Sequence, residues 1–143
     1  MPLSSTTTVN YPMAGGDLLF TRPRAALIHG GTGPDLIVGG GANDTIFGGS
    51  GPATIDGGSG HNQIYAGSGG TLIQDSGVRG QDTVVGFNQS HGDGITFSHE
   101  DAGSVAHVVA TATVSGGSTT ITLPDGSTMT LVGITHIDST FFH

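Results

Sequence analysis

Gly30-Gly31-Thr32-Gly33-Pro34-Asp35-Leu36-Ile37-Val38 runs without a break into Gly39-Gly40-Gly41-Ala42-Asn43-Asp44-Thr45-Ile46-Phe47. Two further units follow, Gly48-Gly49-Ser50-Gly51-Pro52-Ala53-Thr54-Ile55-Asp56 and Gly57-Gly58-Ser59-Gly60-His61-Asn62-Gln63-Ile64-Tyr65. A weaker fifth is Ala66-Gly67-Ser68-Gly69-Gly70-Thr71-Leu72-Ile73-Gln74. The eighth position is isoleucine in all five, and the phase reaches back through Ile28 to Leu19, with Gly15 and Asp17 in the fourth and sixth positions of the earliest unit. A helix does not fit, because nine is no multiple of about 3.6 residues per turn and each helical glycine would cost about 1 kcal/mol.

The pattern predicts a short strand alternating with a glycine-rich turn. In Thr45-Ile46-Phe47 the middle residue points inward and its neighbours outward, since side chains alternate along a strand. Paired glycines permit turns too tight for a Cβ. Two units close a coil of about 18 residues, and coils stack roughly 4.8 Å apart, so the isoleucines form two facing ladders. One unit cannot bury its apolar face alone, so the stack is cooperative and needs capped ends.

Composition narrows the function. Of 143 residues 27 are glycine, and the hydrophobic fraction of 34% is too high for a solvated disordered tail. Lysine is absent, the cations are Arg22, Arg24 and Arg79, and the formal charge is −8, which argues against nucleic-acid binding. Ten aspartates accompany a single glutamate, Glu100. Short carboxylates beside tight turns suit hard cations such as calcium. With no cysteine, a disulfide framework is excluded. Met1-Pro2-Leu3-Ser4-Ser5-Thr6 has neither the basic nor the apolar part of a Sec signal peptide, and no apolar run reaches membrane-spanning length. A chain of this kind either stays inside the cell or leaves by a route that needs no N-terminal signal.

The units, above all residues 30–38, resemble the RTX (repeats-in-toxin) nonapeptide, in which glycines fill positions one, two and four, aspartate position six and a large aliphatic position eight. The resemblance implies an all-β, right-handed parallel β-roll (a β-solenoid) of nine-residue half-turns with calcium held between turns. It covers residues 12–87, leaving 1–11 as an N-terminal extension or cap and 88–143 as a C-terminal β cap and secretion segment. Asp82-Thr83-Val84-Val85-Gly86-Phe87, Gly92-Asp93-Gly94-Ile95-Thr96-Phe97 and the terminal Phe141-Phe142 look like the C-terminal region of bacterial type I-secreted proteins. In such rolls each calcium takes the sixth-position aspartate and main-chain carbonyls of the loops, with a partner 18 residues away. Carried over residue by residue, the implied metal residues are Asp17, Gly31, Gly33, Asp35, Gly40, Asp44, Asn62 and Asp82. The sixth positions run Asp17, Ala26, Asp35, Asp44, Ala53, Asn62, Thr71, so only Asp17 and Asp35 form an Asp–Asp pair at that spacing. Asn62 offers Asp44 an oxygen without charge, and the other pairs lack a ligand. A roll that has drifted to calcium independence is the alternative. Asp82, behind an insertion around Ser76-Gly77-Val78-Arg79, is either a last ligand or a turn residue.

Beyond the repeats, Thr119-Thr120-Ile121-Thr122-Leu123 and Thr128-Met129-Thr130-Leu131-Val132 alternate around Pro124-Asp125-Gly126-Ser127 and predict a β-hairpin. Ile121, Leu123, Met129 and Leu131 should cover the end of the roll, which would otherwise expose unpaired strand edges. His91, His99, His107 and His136 show no zinc-ligand spacing. Neither a nucleophile elbow nor a dinucleotide fingerprint is present, so the chain is not expected to be an enzyme in its own right. Three roles stay open: a secreted, extracellular or surface-associated calcium-binding module exported by a type I apparatus; the C-terminal secretion and folding module of a larger enzyme or toxin; or a matrix protein that self-associates through coil ends.

Overall fold

The computed structural model describes residues 7–10, 18–20, 25–76, 79–98 and 101–142. Ten short strands build the roll: β1 (Thr7–Asn10), β2 (Leu18–Phe20), β3 (Ala26–His29), β4 (Asp35–Val38), β5 (Thr45–Phe47), β6 (Ala53–Asp56), β7 (Gly60–Tyr65), β8 (Thr71–Asp75), β9 (Gly80–Val85) and β10 (Gly94–Phe97). They alternate between two sheets, β1-β3-β5-β7-β9 in one and β2-β4-β6-β8-β10 in the other, and every roll pair is parallel. This is the all-β parallel β-roll that the repeat predicts, with each nine-residue unit forming half a coil.

Register follows the isoleucines. Ile28, Ile46 and Ile64 stand opposite one another in the first sheet, and Ile37, Ile55 and Ile73 in the second. All six are fully buried. A one-residue slip would turn each ladder to solvent, so the hydrophobic effect fixes the pairing. The register survives insertions: Val84 aligns with Ile64 and Ile95 with Ile73. On the outer face of the first sheet His29, Phe47 and Tyr65 stack, with ring centroids 4.8 and 4.5 Å apart. Such stacks add about 0.5–1.5 kcal/mol each beyond area burial.

Strand pairing runs past both limits expected for the roll, 12 and 87: β1 precedes that span and β10 follows it. Helix α1 (Ala102–Thr111) comes next, then β11 (Thr113–Ser115), β12 (Ser118–Thr122) and β13 (Thr128–Leu131). β12 and β13 form the antiparallel hairpin, while β13 adds in parallel to β9, so the cap extends the first sheet. Ile121, Leu123, Met129 and Leu131 are buried in the common core. The second sheet is closed by the C-terminus, where Phe142 bridges Ile95, Phe141 stacks on Phe87 and Phe142 meets Phe97 edge-on. Nothing in the sequence pattern announced α1. Its start is a capping box between Asp101 and Ser104, and it buries Val105 and Val108, one turn apart.

Candidate metal centre

Each coil crosses between the sheets twice, so the turns form two rows. One row leads into Asp35, Ala53 and Thr71, which stand in register, and then Asp93. The other leads into Ala26, Asp44, Asn62 and Asp82. Asp17, and with it the expected Asp17–Asp35 pair, lies outside the described residues.

The sixth-position side chain has a repeated task in the second row: it accepts the main-chain N–H one coil below. Asp44 Oδ1 accepts from Ala26 at 2.8 Å and Asn62 Oδ1 from Asp44 at 2.9 Å. In the first row Asp93 Oδ1 accepts from Thr71 at 2.6 Å. Where the residue is short, main chain substitutes: Asp35 N–H donates to Pro52 O and Ala53 N–H to Gly70 O. Within its own turn Asp35 Oδ2 accepts from Gly31 N–H at 2.9 Å, a place taken by the Thr71 hydroxyl for Gly67.

Asp44 differs from its neighbours. The residue is 2% exposed, and its Oδ2 is buried without a hydrogen-bond partner among the described residues. Burial pushes its carboxyl up to about 6, against the lowering effect of the Ala26 hydrogen bond. Gly39 leaves the space beside it open: a Cβ there would fall 2.4 Å from Gly57 O and 2.8 Å from Asp44 Oδ2. A carbonyl and an unpartnered carboxylate oxygen thus border one glycine-lined recess, which is oxygen chemistry suited to calcium. Gly40 O, in the same turn, accepts from Ser59 N–H, and Gly31 O in the other row from Ser50 N–H. Gly33 O borders Gly51, where a Cβ would come within 2.4 Å.

One coil along, Asn62 Nδ2 donates to Gly57 O at 2.8 Å and to Asp82 Oδ1 at 2.9 Å. The amide nitrogen holds a carbonyl and a carboxylate together, as a cation would if residue 62 were aspartate. Asp82 lies in strand β9 rather than in a turn, opposite Asn62 across an offset of 20 residues. Burial pushes its carboxyl up to about 7; the Asn62 hydrogen bond opposes this, and the charges of Asp56 and Asp75 add to it. Asp56, Asp75 and Asp93 had not been singled out in the sequence. Asp93 could have been, because its two-residue offset from Ile95 repeats that of Asp35 from Ile37 and Asp44 from Ile46.

Among the described residues no three histidine, aspartate or glutamate side chains converge on one point. Among the described residues, a cation in these turns would draw on at most two carboxylates, completed by main-chain carbonyls. No described helix is long and apolar enough to cross a membrane. A family model of the RTX calcium-binding nonapeptide repeat matches residues 25–52 and 54–73, in four copies. No curated protein matches the chain.

Proposed function

From a chain that carries RTX calcium-binding nonapeptide repeats and folds as a calcium-binding β-roll, we propose a secreted module whose folding is driven to completion by calcium outside the cell. The observation that carries this reading is the buried Oδ2 of Asp44, unpartnered among the described residues, in a glycine-lined turn. Asp44, Gly39, Gly40 and Gly57 would hold the ion in one row, and Asp35 with the carbonyls of Gly31 and Gly33 in the other, with Asp17 as its further ligand. Asp82 and Asn62 form a position that the Asn62 amide already bridges. A bound calcium supplies positive charge to carboxylates that burial otherwise pushes toward protonation.

The chain's own residues supply the switch. Asp44 and Asp82 oppose closure of the metal-free turns, and the 27 glycines make the unfolded chain entropically favourable. Extracellular calcium modules bind at roughly 10⁻⁴–10⁻³ M, a range that is filled outside a cell and empty in the cytosol. The C-terminal segment serves as the export signal in this reading. Phe141 and Phe142 are buried in the closed roll, so the transporter must meet them before the coils stack. The role is structural rather than catalytic, and the same switch would serve a roll acting alone or as the C-terminal module of a larger secreted protein. The test is export: the full chain and a form lacking residues 119–143 are co-expressed with a type I transporter. The full chain should reach the medium and the truncated form should not; equal export refutes the signal.

A further inference from the structure

The outer face of the first sheet carries six polar side chains that the candidate metal turns do not use. Outward side chains of three neighbouring strands stand in two rows: His61, Gln81 and Thr128 in one, Gln63, Thr83 and Thr130 in the other. They line a groove of about 350 Å³, bordered below by Asn62 and Asp82. A second concavity shares His61 and Gln81 and extends the groove to Arg79, whose guanidinium lies against Gly126. Arg79 has no ion pair among the described residues.

We propose that this face binds an uncharged, hydroxyl-rich glycan chain laid across β7, β9 and β13. Two carboxamides, an imidazole and three hydroxyls supply donors and acceptors in a flat array, and sugar hydroxyls both donate and accept. The array repeats roughly every 4.8 Å across the strands and roughly every 6.8 Å along them, close to the dimensions of a sugar ring. The paired strands beneath it fix the backbone spacing of the array before a ligand arrives. Of the six, the described hydrogen bonds engage only Thr130, which meets Thr120 at 2.9 Å.

Other occupants fit less well. β7 is paired with β5 and β9, and β9 with β7 and β13, so no strand edge is open to an added peptide strand. No large apolar side chain lines the groove, so a protein partner would lack the anchors that dominate such interfaces. A formal charge of −8 disfavours polyanions, and among the described residues Arg79 is the one arginine at the groove.

The test uses the full chain in calcium-containing buffer, titrated calorimetrically with soluble β-1,4-, β-1,3- and α-1,4-linked glucose oligomers and with polygalacturonate as the charged comparison. At least one neutral oligomer should bind. The double variant Gln63→Ala/Gln81→Ala should weaken binding about tenfold, the loss of two net hydrogen bonds, with its melting temperature unchanged because both side chains are exposed. Thr54→Ala, on the opposite sheet, should bind as the parent does. Failure of every neutral oligomer, preference for polygalacturonate, or unchanged affinity of the double variant would overturn the proposal.

Discussion

Asp44→Asn separates the cost of the metal-free turn from the gain of filling it. In calcium-free buffer above pH 7 the native carboxylate is ionised, although burial has raised its pKa from 3.8 to about 6. At 1.36 kcal/mol per pKa unit, that destabilises the roll by at most about 3 kcal/mol. Relaxation of the surrounding turn lowers the usable figure to about 1–2 kcal/mol. An asparagine amide keeps the acceptor for Ala26 N–H and places a donor where Oδ2 stands. Asn62 shows the outcome: its Nδ2 reaches Gly57 O, five residues back, at 2.8 Å. The corresponding carbonyl for residue 44 is that of Gly39. In EDTA the variant should therefore melt about 4–8 °C higher than the parent, at about 4 °C per kcal/mol for a domain of this size. In millimolar calcium the order should reverse, because the variant has lost the ligand charge. Differential scanning calorimetry in both buffers reads both effects. A variant that melts lower than the parent in EDTA would show that the buried carboxylate is already compensated, and the reasoning would fail.

The pH dependence has a definite sign. Asp44 and Asp82 have folded pKa values of about 6 and about 7, above the unfolded value of 3.8, so the folded state binds more protons between those limits. The metal-free roll should gain stability as pH falls from above 7 toward 5, while the gain from calcium shrinks over the same range; a metal-free melt that drops on acidification would contradict this. Ile46→Asp places a charge in a fully buried ladder position and should abolish the cooperative melt, at a cost of several kcal/mol, whereas Thr45→Asp, pointing outward, should shift it only slightly. Equal damage from both would mean that the facing is misassigned. Asn62→Asp removes the amide that bridges Gly57 and Asp82 and adds a third charge beside Asp56 and Asp82; circular dichroism should show a roll less folded in EDTA and more dependent on calcium.

The roll was legible because one physical rule, an inward aliphatic every nine residues, repeats without exception from Ile28 to Ile73. The hairpin was legible from alternation around Asp125-Gly126. Later coils hide because insertions break the period while leaving the register intact: Asp93 pairs with Thr71 across an offset of 22 residues. There the shorter Asp-x-aliphatic spacing is the better guide, since it belongs to the strand and not to the turn. Helix α1 was masked by the β-branched Val105, Val108 and Val109, and it is held by packing against the end of the core more than by propensity. In the candidate metal centre, the sixth-position residues were readable one at a time. That Asn62 would act as a donor toward Asp82, or that Asp56 and Asp75 would raise the Asp82 pKa, depends on how neighbouring coils meet and has no signature in a single unit.

In the proposed switch, calcium binds the turns of the closed roll and not the open chain. The most direct measurement is the melting temperature of the unmodified protein across a calcium titration from EDTA to millimolar, followed by circular dichroism. A ligand specific for the folded state adds RT ln(1 + [L]/Kd), about 2.7 kcal/mol at a hundredfold excess over Kd. The melting temperature should climb by roughly 10 °C over the titration, with β-signal gained at low temperature if the metal-free chain is partly open. A melt that stays the same in EDTA and in millimolar calcium would contradict it, and would leave a roll held by isoleucine ladders and backbone pairing alone.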